Sequence, residues 1–301
     1  MVSAKIHDAS NCNNKGPQAA RTVAVGGAWV TRKSAGRSMI RMVHMLRRAH
    51  GLSQKDFANS WRDRHGPLVA SVQTDMDIVR HLQIHPDPAA QGIDNQAAAA
   101  RGGMQPAFDG IAEYWWKSEE SLRLALASDA GKSAAAHLVE SERQFVDLAA
   151  SPMWFATEFP QVATTLQRPV ARLRSDVMRL HFALRPAYGL GEEGARRYWL
   201  EAHGPLIRSH SPARGLIAYN QVHRLETPLV FSFTAPRGTA VEPYLGHAES
   251  WFQRPSGQEP PPEMLAAMEA AIRDEENFID WNRSTILVGK ELVFIDREWA
   301  L

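Results

Sequence analysis

Two histidines of this 301-residue chain stand directly before the same tripeptide, Gly-Pro-Leu. They are His65 and His203, and each follows a tryptophan by four residues. An imidazole titrates near ~6.5, so a histidine at the mouth of a cavity suits general acid–base catalysis. The alternative role is structural, because a histidine at a helix C-terminus can hydrogen-bond the last carbonyl groups.

Two glutamates are paired in the same way by the motif Gly-x-Ala-Glu-x-Trp. Period-two alternation places each of them, Glu113 and Glu249, on the same side of its strand as a tryptophan. A carboxyl group that faces a cavity loses hydration, which raises its pKa and lets it exchange a proton with a substrate. The alternative is a structural hydrogen bond to a helix or an arginine. The candidate catalytic residues are His203, Glu249, His65 and Glu113.

Polar side chains also alternate along the second strand expected in each half of the chain. In the first half Gln83 and His85 fall on one side of the strand and Leu82 on the other. We assign the polar side to a sheet face that no helix covers, where it could orient a substrate carbonyl or phenol. The loops 86–107 and 224–243 are expected to cover the cavity mouths. The candidate substrate-binding residues are Gln83, His85, Trp115, His181, Tyr219, Gln221, His223, His247 and Trp251.

The sequence offers no familiar metal-binding spacing. Its single cysteine, Cys12, rules out cysteine-ligated zinc and iron–sulfur sites in the rest of the chain. His81 and His85 lie four residues apart on a strand, about 13 Å, so they cannot share one ion. We therefore expect no metal site and no cofactor. Haem is the alternative, because it needs only one axial histidine and an apolar pocket.

Charge excludes other classes of partner. Six of the 34 basic residues and one of the 33 acidic residues lie in 1–38, so the remainder carries 28 basic and 32 acidic residues, a net charge of −4. A mildly acidic body argues against nucleic-acid binding, which needs a basic face. No stretch approaches the ~18 apolar residues of a membrane-spanning helix. We expect a cytoplasmic protein, in keeping with the single cysteine.

An internal repeat predicts the architecture. Residues 40–85 align without gaps on 178–223, with 14 identical positions among 46. Each copy predicts the order βαββαβ, in which the first helix, about 53–65 or 191–203, ends at His-Gly-Pro. This order is typical of the ferredoxin-like unit, four antiparallel strands with both helices on one face. The predicted fold class is α+β, two tandem ferredoxin-like modules that pack their open faces together as one α/β barrel.

The predicted domain boundaries follow from this repeat. A first module spans 39–160 and a second module spans 177–301, with a linker at 161–176. Residues 1–38 lie outside both modules as a flexible N-terminal extension. Three origins of the extension stay open: a weak transit peptide, a mis-assigned start codon and a genuine tail.

Both copies resemble the EthD family of dimeric α/β-barrel proteins. The matching stretches are Phe57–Val69 with Gly110–Trp116, and Ala195–Ile207 with Gly246–Phe252. Members of that family ordinarily pair as homodimers, so the resemblance implies that the tandem chain is an intramolecular version of that dimer. It also implies a place in a superfamily of lactone isomerases, polyketide cyclases, dehydratases, cofactor-free monooxygenases and haem enzymes.

These observations predict an acid–base enzyme without a cofactor, of the cyclase, dehydratase, isomerase or lyase type. Its substrate would be a hydrophobic aromatic or polyketide-like small molecule held in the barrel cavity. One alternative is a haem-dependent or cofactor-free oxygenase, and another is a non-catalytic small-molecule-binding accessory protein. The second half is the richer one, because it adds His181, His223 and His247. The chain is expected as a monomer or as a homodimer of tandem barrels.

Overall fold

Eight antiparallel strands close into a barrel in the computed structural model, which describes residues 39–297. The expectation for residues 1–38 falls outside the described residues. Each strand carries buried side chains, because one side faces the barrel interior and the other faces the helices. The strands are β1 (Ile40–Leu46), β2 (Arg80–Pro86), β3 (Gly110–Trp116), β4 (Met153–Ala163), β5 (Val177–Leu184), β6 (Leu216–Leu225), β7 (Gly246–Gln253) and β8 (Thr285–Asp296).

The strand order joins the two halves of the chain at two seams. Around the barrel the order is β1-β3-β2-β8-β5-β7-β6-β4. The seams are the pairs β2–β8 and β4–β6, each formed by one strand from either half. Strand β4 ends at Ala163, inside the region predicted as a linker, because its last residues pair with β6.

Nine α-helices lie among the described residues, and two of them continue through a π-helical turn. The π turns are Ser60–His65 and Trp199–His203, and each ends at a motif histidine. The helices are α1 (Gln54–Asn59), α2 (Gly66–Ser71), α3 (Gln91–Ala99), α4 (Glu119–Ala127), α5 (Asp129–Glu142), α6 (Gly191–Tyr198), α7 (Gly204–His210), α8 (Val230–Arg237) and α9 (Pro262–Glu275).

The prediction that His-Gly-Pro ends the first helix is wrong. Gly66 has φ −56° and Gly204 has φ −56°, so both are helical, and the proline that follows is tolerated in the first turn of the next helix. The glycines are needed for close approach instead. A Cβ on Gly66 would overlap the ring of Phe294, and one on Gly204 would lie 3.0 Å from Nε2 of Gln221.

The segments 86–107 and 224–243 contain helices rather than open loops. Helix α3 of the first half packs on β8 of the second, and α8 of the second half packs on β4 of the first. A bidentate ion pair at the end of α8, and another just after the end of α3, join the two halves. Arg101 contacts Glu275 at 2.6 and 2.7 Å, and Arg237 contacts Glu142 at 2.6 and 3.0 Å.

Two kinds of core hold the fold. Inside the barrel, apolar side chains from both halves meet, among them Val43, Leu82 and Val222. Outside it, the helices of each half cover the sheet with aromatic residues such as Trp61 and Trp199. None of the described helices is both long enough and apolar enough to span a bilayer.

Candidate functional site

The motif histidine of the second half, His203, is hydrogen-bonded to an acid that was not predicted from the sequence. Nδ1 of His203, at the end of the π turn, lies 2.7 Å from a carboxylate oxygen of Asp274 on α9. The other oxygen of Asp274 accepts a hydrogen bond from the hydroxyl of Tyr198, at 2.8 Å. Burial raises the pKa of Asp274, but the hydrogen bonds from His203 and Tyr198 outweigh it and hold that pKa below its ordinary value.

The geometry leaves the other imidazole nitrogen of His203 free. Because an ionised carboxylate only accepts hydrogen bonds, Nδ1 carries a proton, and in the neutral ring Nε2 then carries the lone pair. Within residues 39–297 this Nε2 has no hydrogen-bond partner, and His203 is 5% exposed. The arrangement is that of a base oriented by a carboxylate.

The motif histidine of the first half, His65, has a different hydrogen-bond partner. Nδ1 of His65 lies 3.1 Å from the hydroxyl of Ser141, which takes the place of the aspartate. Its Nε2 lies 3.8 Å from Glu142, whose charge is already paired with Arg237. Burial lowers the pKa of His65, and it lowers the pKa of the neighbouring His44 to about 3. The first half therefore holds neutral imidazoles in a closed setting.

The residues predicted on the second strand of each half lie beneath helices. Nε2 of Gln83 donates to the carbonyl oxygen of Trp61 at 2.9 Å, and Gln221 does the same for Trp199 at 2.7 Å. The glutamines thus satisfy carbonyl groups of the π turns. The assignment of these side chains to the uncovered sheet face is wrong, because the apolar side of each strand faces the barrel interior and the polar side meets the helix.

The remaining members of that set follow the same rule. The ring of His223 stacks on Trp199 at 4.3 Å, and the ring of His85 lies 4.4 Å from Trp61. Burial lowers the pKa of His85 to about 4 and that of His223 to about 3, so both are neutral near pH 7. The hydroxyl of Tyr219 accepts a hydrogen bond from Trp199 at 3.2 Å. These side chains support the helix that carries the motif histidine.

The third strand of each half does face the barrel interior, as predicted. Glu113 and Glu249 are fully buried there, with Trp115 and Trp251 beside them. Their charges are balanced by Arg41 and Arg179, which contact both carboxylates. His181 and His247 stack in the same space, with ring centroids 5.0 Å apart.

The pKa predicted for Glu249 was in the wrong direction. Burial by itself raises that pKa, but Arg179 and Arg41, together with a hydrogen bond from His247, hold it well below the ordinary value. A permanently ionised, paired carboxylate is a poor proton donor near neutral pH. The identity of Arg41 with Arg179 across the repeat was the available signal for this pairing, whereas Asp274 aligns with a serine and left none.

Buried side chains of both halves pack inside the barrel, among them Val43, Glu113 and Glu249. A groove of about 470 Å³ lies on the outside, between α5 and α8. Val139, Phe233 and Arg237 line it, together with Met76. No histidine lines this groove, and it touches none of the residues predicted from the sequence.

A haem does not fit beside four of the predicted site histidines, His65, His203, His181 and His247. Macrocycle binding needs a flat apolar slot beside an axial ligand. The rings of His65 and His203 each pack against a phenylalanine, at centroid distances of 5.5 and 5.1 Å. His181 and His247 are enclosed by arginine and glutamate side chains. We therefore derive no step through haem.

Comparison with known proteins gives one matching family model and several solved structures of low sequence identity. The family model described as the EthD domain matches residues 49–149. No curated protein matches the sequence. An anthrone oxidase-like protein is similar in structure, with 10% identity, coverage of 87% of this chain and 96% of that chain, and a TM-score of 0.46.

Two further structures are similar at the same level. A candidate monooxygenase from Lactobacillus acidophilus shares 8% identity, covers 86% of this chain and 96% of its own, and has a TM-score of 0.43. A dye-decolorizing peroxidase from Bacteroides thetaiotaomicron shares 9% identity, with 85% and 93% coverage and a TM-score of 0.41.

Proposed function

We propose that the chain, whose residues 49–149 match the EthD domain model, is an acid–base enzyme acting on a hydrophobic small molecule. The reaction is a proton transfer of the isomerase, cyclase or lyase type. The observation that carries the proposal is the pair formed by His203 and Asp274, with its 2.7 Å contact. The pair lies in the helical layer of the second half, between the π turn Trp199–His203 and α9, and not in the barrel interior.

We also propose that the second half, 177–297, is a second module of the same kind. In support, the strands run β4-β1-β3-β2 in the first half and β8-β5-β7-β6 in the second, which is the same order. The motif histidines end equivalent π turns, and the buried glutamates occupy equivalent strands. The two modules then differ in chemistry through the residue opposite the histidine.

The chemistry follows from the two nitrogens of one imidazole. Nε2 of His203 removes a proton from a carbon next to a carbonyl group or from a phenol. The imidazolium that forms is stabilised by the ionised Asp274, which keeps the ring in one orientation. Nε2 then returns the proton at another atom of the substrate. Half-buried Tyr198 offers an aromatic surface beside the pair, in keeping with a hydrophobic or aromatic substrate.

Hydrogen–deuterium exchange tests this proposal without knowledge of the final product. The protein is incubated in D2O with a panel of aryl ketones, lactones and β-diketones, and deuterium uptake at carbon is followed by NMR. We expect catalysed exchange on at least one compound. His203→Ala and Asp274→Asn should each slow it about 100-fold or more, the scale of a lost general base.

The matched control is His137→Ala, which removes an exposed histidine on α5. That variant should exchange at the wild-type rate. Wild-type exchange by His203→Ala would overturn the proposal, and so would the absence of catalysed exchange across the whole panel. Circular dichroism of each variant shows that a lost rate does not reflect lost folding.

A further inference from the structure

Four potential metal ligands converge in the barrel interior, away from the His203–Asp274 pair. They are Glu113, His181, His247 and Glu249, all completely buried. Their ligand atoms lie within 4.8 Å of one another. His181 sits opposite Glu249 in the β5–β7 register, and His247 precedes Glu249 by two residues on the same face. Glu113 reaches them from β3, on the far side of the barrel.

Three imidazole nitrogens in this cluster have no hydrogen-bond partner in the described part of the chain. They are Nδ1 and Nε2 of His181 and Nδ1 of His247. Buried polar atoms are nearly always satisfied, since leaving one unpaired is unfavourable. The remaining nitrogen, Nε2 of His247, lies 2.8 Å from a carboxylate oxygen of Glu249. Nitrogen lone pairs and carboxylate oxygens therefore meet in one dry space.

The first half shows that the fold does not need these imidazoles. The positions equivalent to His181 and His247 hold Val43 and Ile111, which pack in the apolar part of the barrel. The buried glutamates and arginines, by contrast, occur in both halves. The two histidines are thus an addition of the second half to a shared ion-pair network.

We propose that Glu113, His181, His247 and Glu249 bind one divalent transition-metal ion with the preferences of Zn²⁺. Imidazole nitrogen with carboxylate oxygen is a donor set that suits zinc and its neighbours, whereas magnesium and calcium take oxygen ligands. Arg41 and Arg179 both contact the two carboxylates and would stay hydrogen-bonded to them and orient them, as outer partners of metal ligands commonly do.

Spectroscopic titration of the full chain tests the site. After dialysis against a chelator, Co²⁺ is added and its visible d–d absorption is followed, and Zn²⁺ is then used to displace it. We expect one ion per chain, displacement by Zn²⁺ and no displacement by Mg²⁺. His181→Val and His247→Ile introduce the residues of the first half, and each should weaken binding more than about tenfold.

His44→Phe is the matched control, because it also replaces a buried histidine by the residue that the other half has there. It should bind Co²⁺ like the wild type. A second readout is the thermal midpoint, which Zn²⁺ should raise in the wild type and in His44→Phe but not in His181→Val. His181→Gln replaces His181→Val if the latter does not fold. Failure of the wild type to bind stoichiometrically, or equal binding by folded His181 and His247 variants, would overturn the proposal.

Discussion

At the scale of single residues, the two halves place different partners on the same histidine. Asp274 faces His203 at 2.7 Å, whereas Ser141 faces His65 at 3.1 Å. A serine hydroxyl can donate or accept, so it fixes neither the tautomer nor the charge of the ring. An ionised carboxylate fixes the tautomer of the neutral ring, because it can only accept the Nδ1 proton. The repeat therefore contains its own comparison between an oriented base and a merely buried imidazole.

This difference predicts the effect of Asp274→Ser, which gives the second half the partner found in the first. Exchange activity should fall by about 10- to 100-fold, because Nε2 is no longer held as the basic nitrogen. An unchanged rate in Asp274→Ser would contradict the role given to the aspartate.

At the scale of elements, helix α3 is anchored by a titratable residue. Asp94 on α3 accepts a hydrogen bond from the backbone N–H of Val288 on β8, at 2.8 Å. Burial raises its pKa to about 7, since loss of hydration and the nearby charge of Asp87 outweigh that hydrogen bond. In the unfolded chain the same carboxyl group has lost its proton by about pH 4.

The raised pKa gives a stability that depends on pH. Between about pH 4 and pH 7 the folded chain binds the proton of Asp94 more tightly than the unfolded chain, so its contribution to stability falls as the pH rises. Asp94→Asn keeps the acceptor oxygen and does not titrate. In urea denaturation, its free energy of unfolding relative to the wild type should be higher at about pH 8 than at about pH 5. Asp129→Asn, at an exposed aspartate, should show no such change, and a pH-independent effect of Asp94→Asn would contradict the prediction.

The strands were predictable from the sequence, whereas helices α3 and α8 and the faces of two strands were not. Alternation and the repeat gave the strands, and the glutamates of β3 and β7 were correctly placed inside the barrel. The orientation predicted for β2 and β6 was wrong, because the polar side of each strand was assigned to a sheet face that no helix covers. Gln83 and Gln221 instead donate hydrogen bonds to carbonyl groups of the π turns. The local sequence does not indicate a π turn. Likewise, Glu113 reaches His181 and His247 only through closure of the barrel, because it comes from β3 on the opposite side.

At the scale of the whole molecule, the barrel is held together across the halves rather than along the chain. The seams β2–β8 and β4–β6 supply backbone hydrogen bonds, and helices α3 and α8 each cross to the other half. The Arg101–Glu275 and Arg237–Glu142 pairs are buried or nearly so, where removal of one partner is expected to be costly. Leu166, in the covalent connection between the halves, is fully exposed.

Cleavage of the connection should therefore leave the molecule assembled. A protease site inserted after the exposed Leu166 would yield two fragments that stay together in gel filtration under native conditions and separate in denaturant. Arg237→Ala should promote dissociation of the cut fragments, because it removes a buried ion pair, 2.6 Å apart, that joins them. An uncut sample carried through the same protease treatment is the control. Fragments that separate without denaturant would mean that the seams alone do not hold the barrel, and that the two halves depend on their connection.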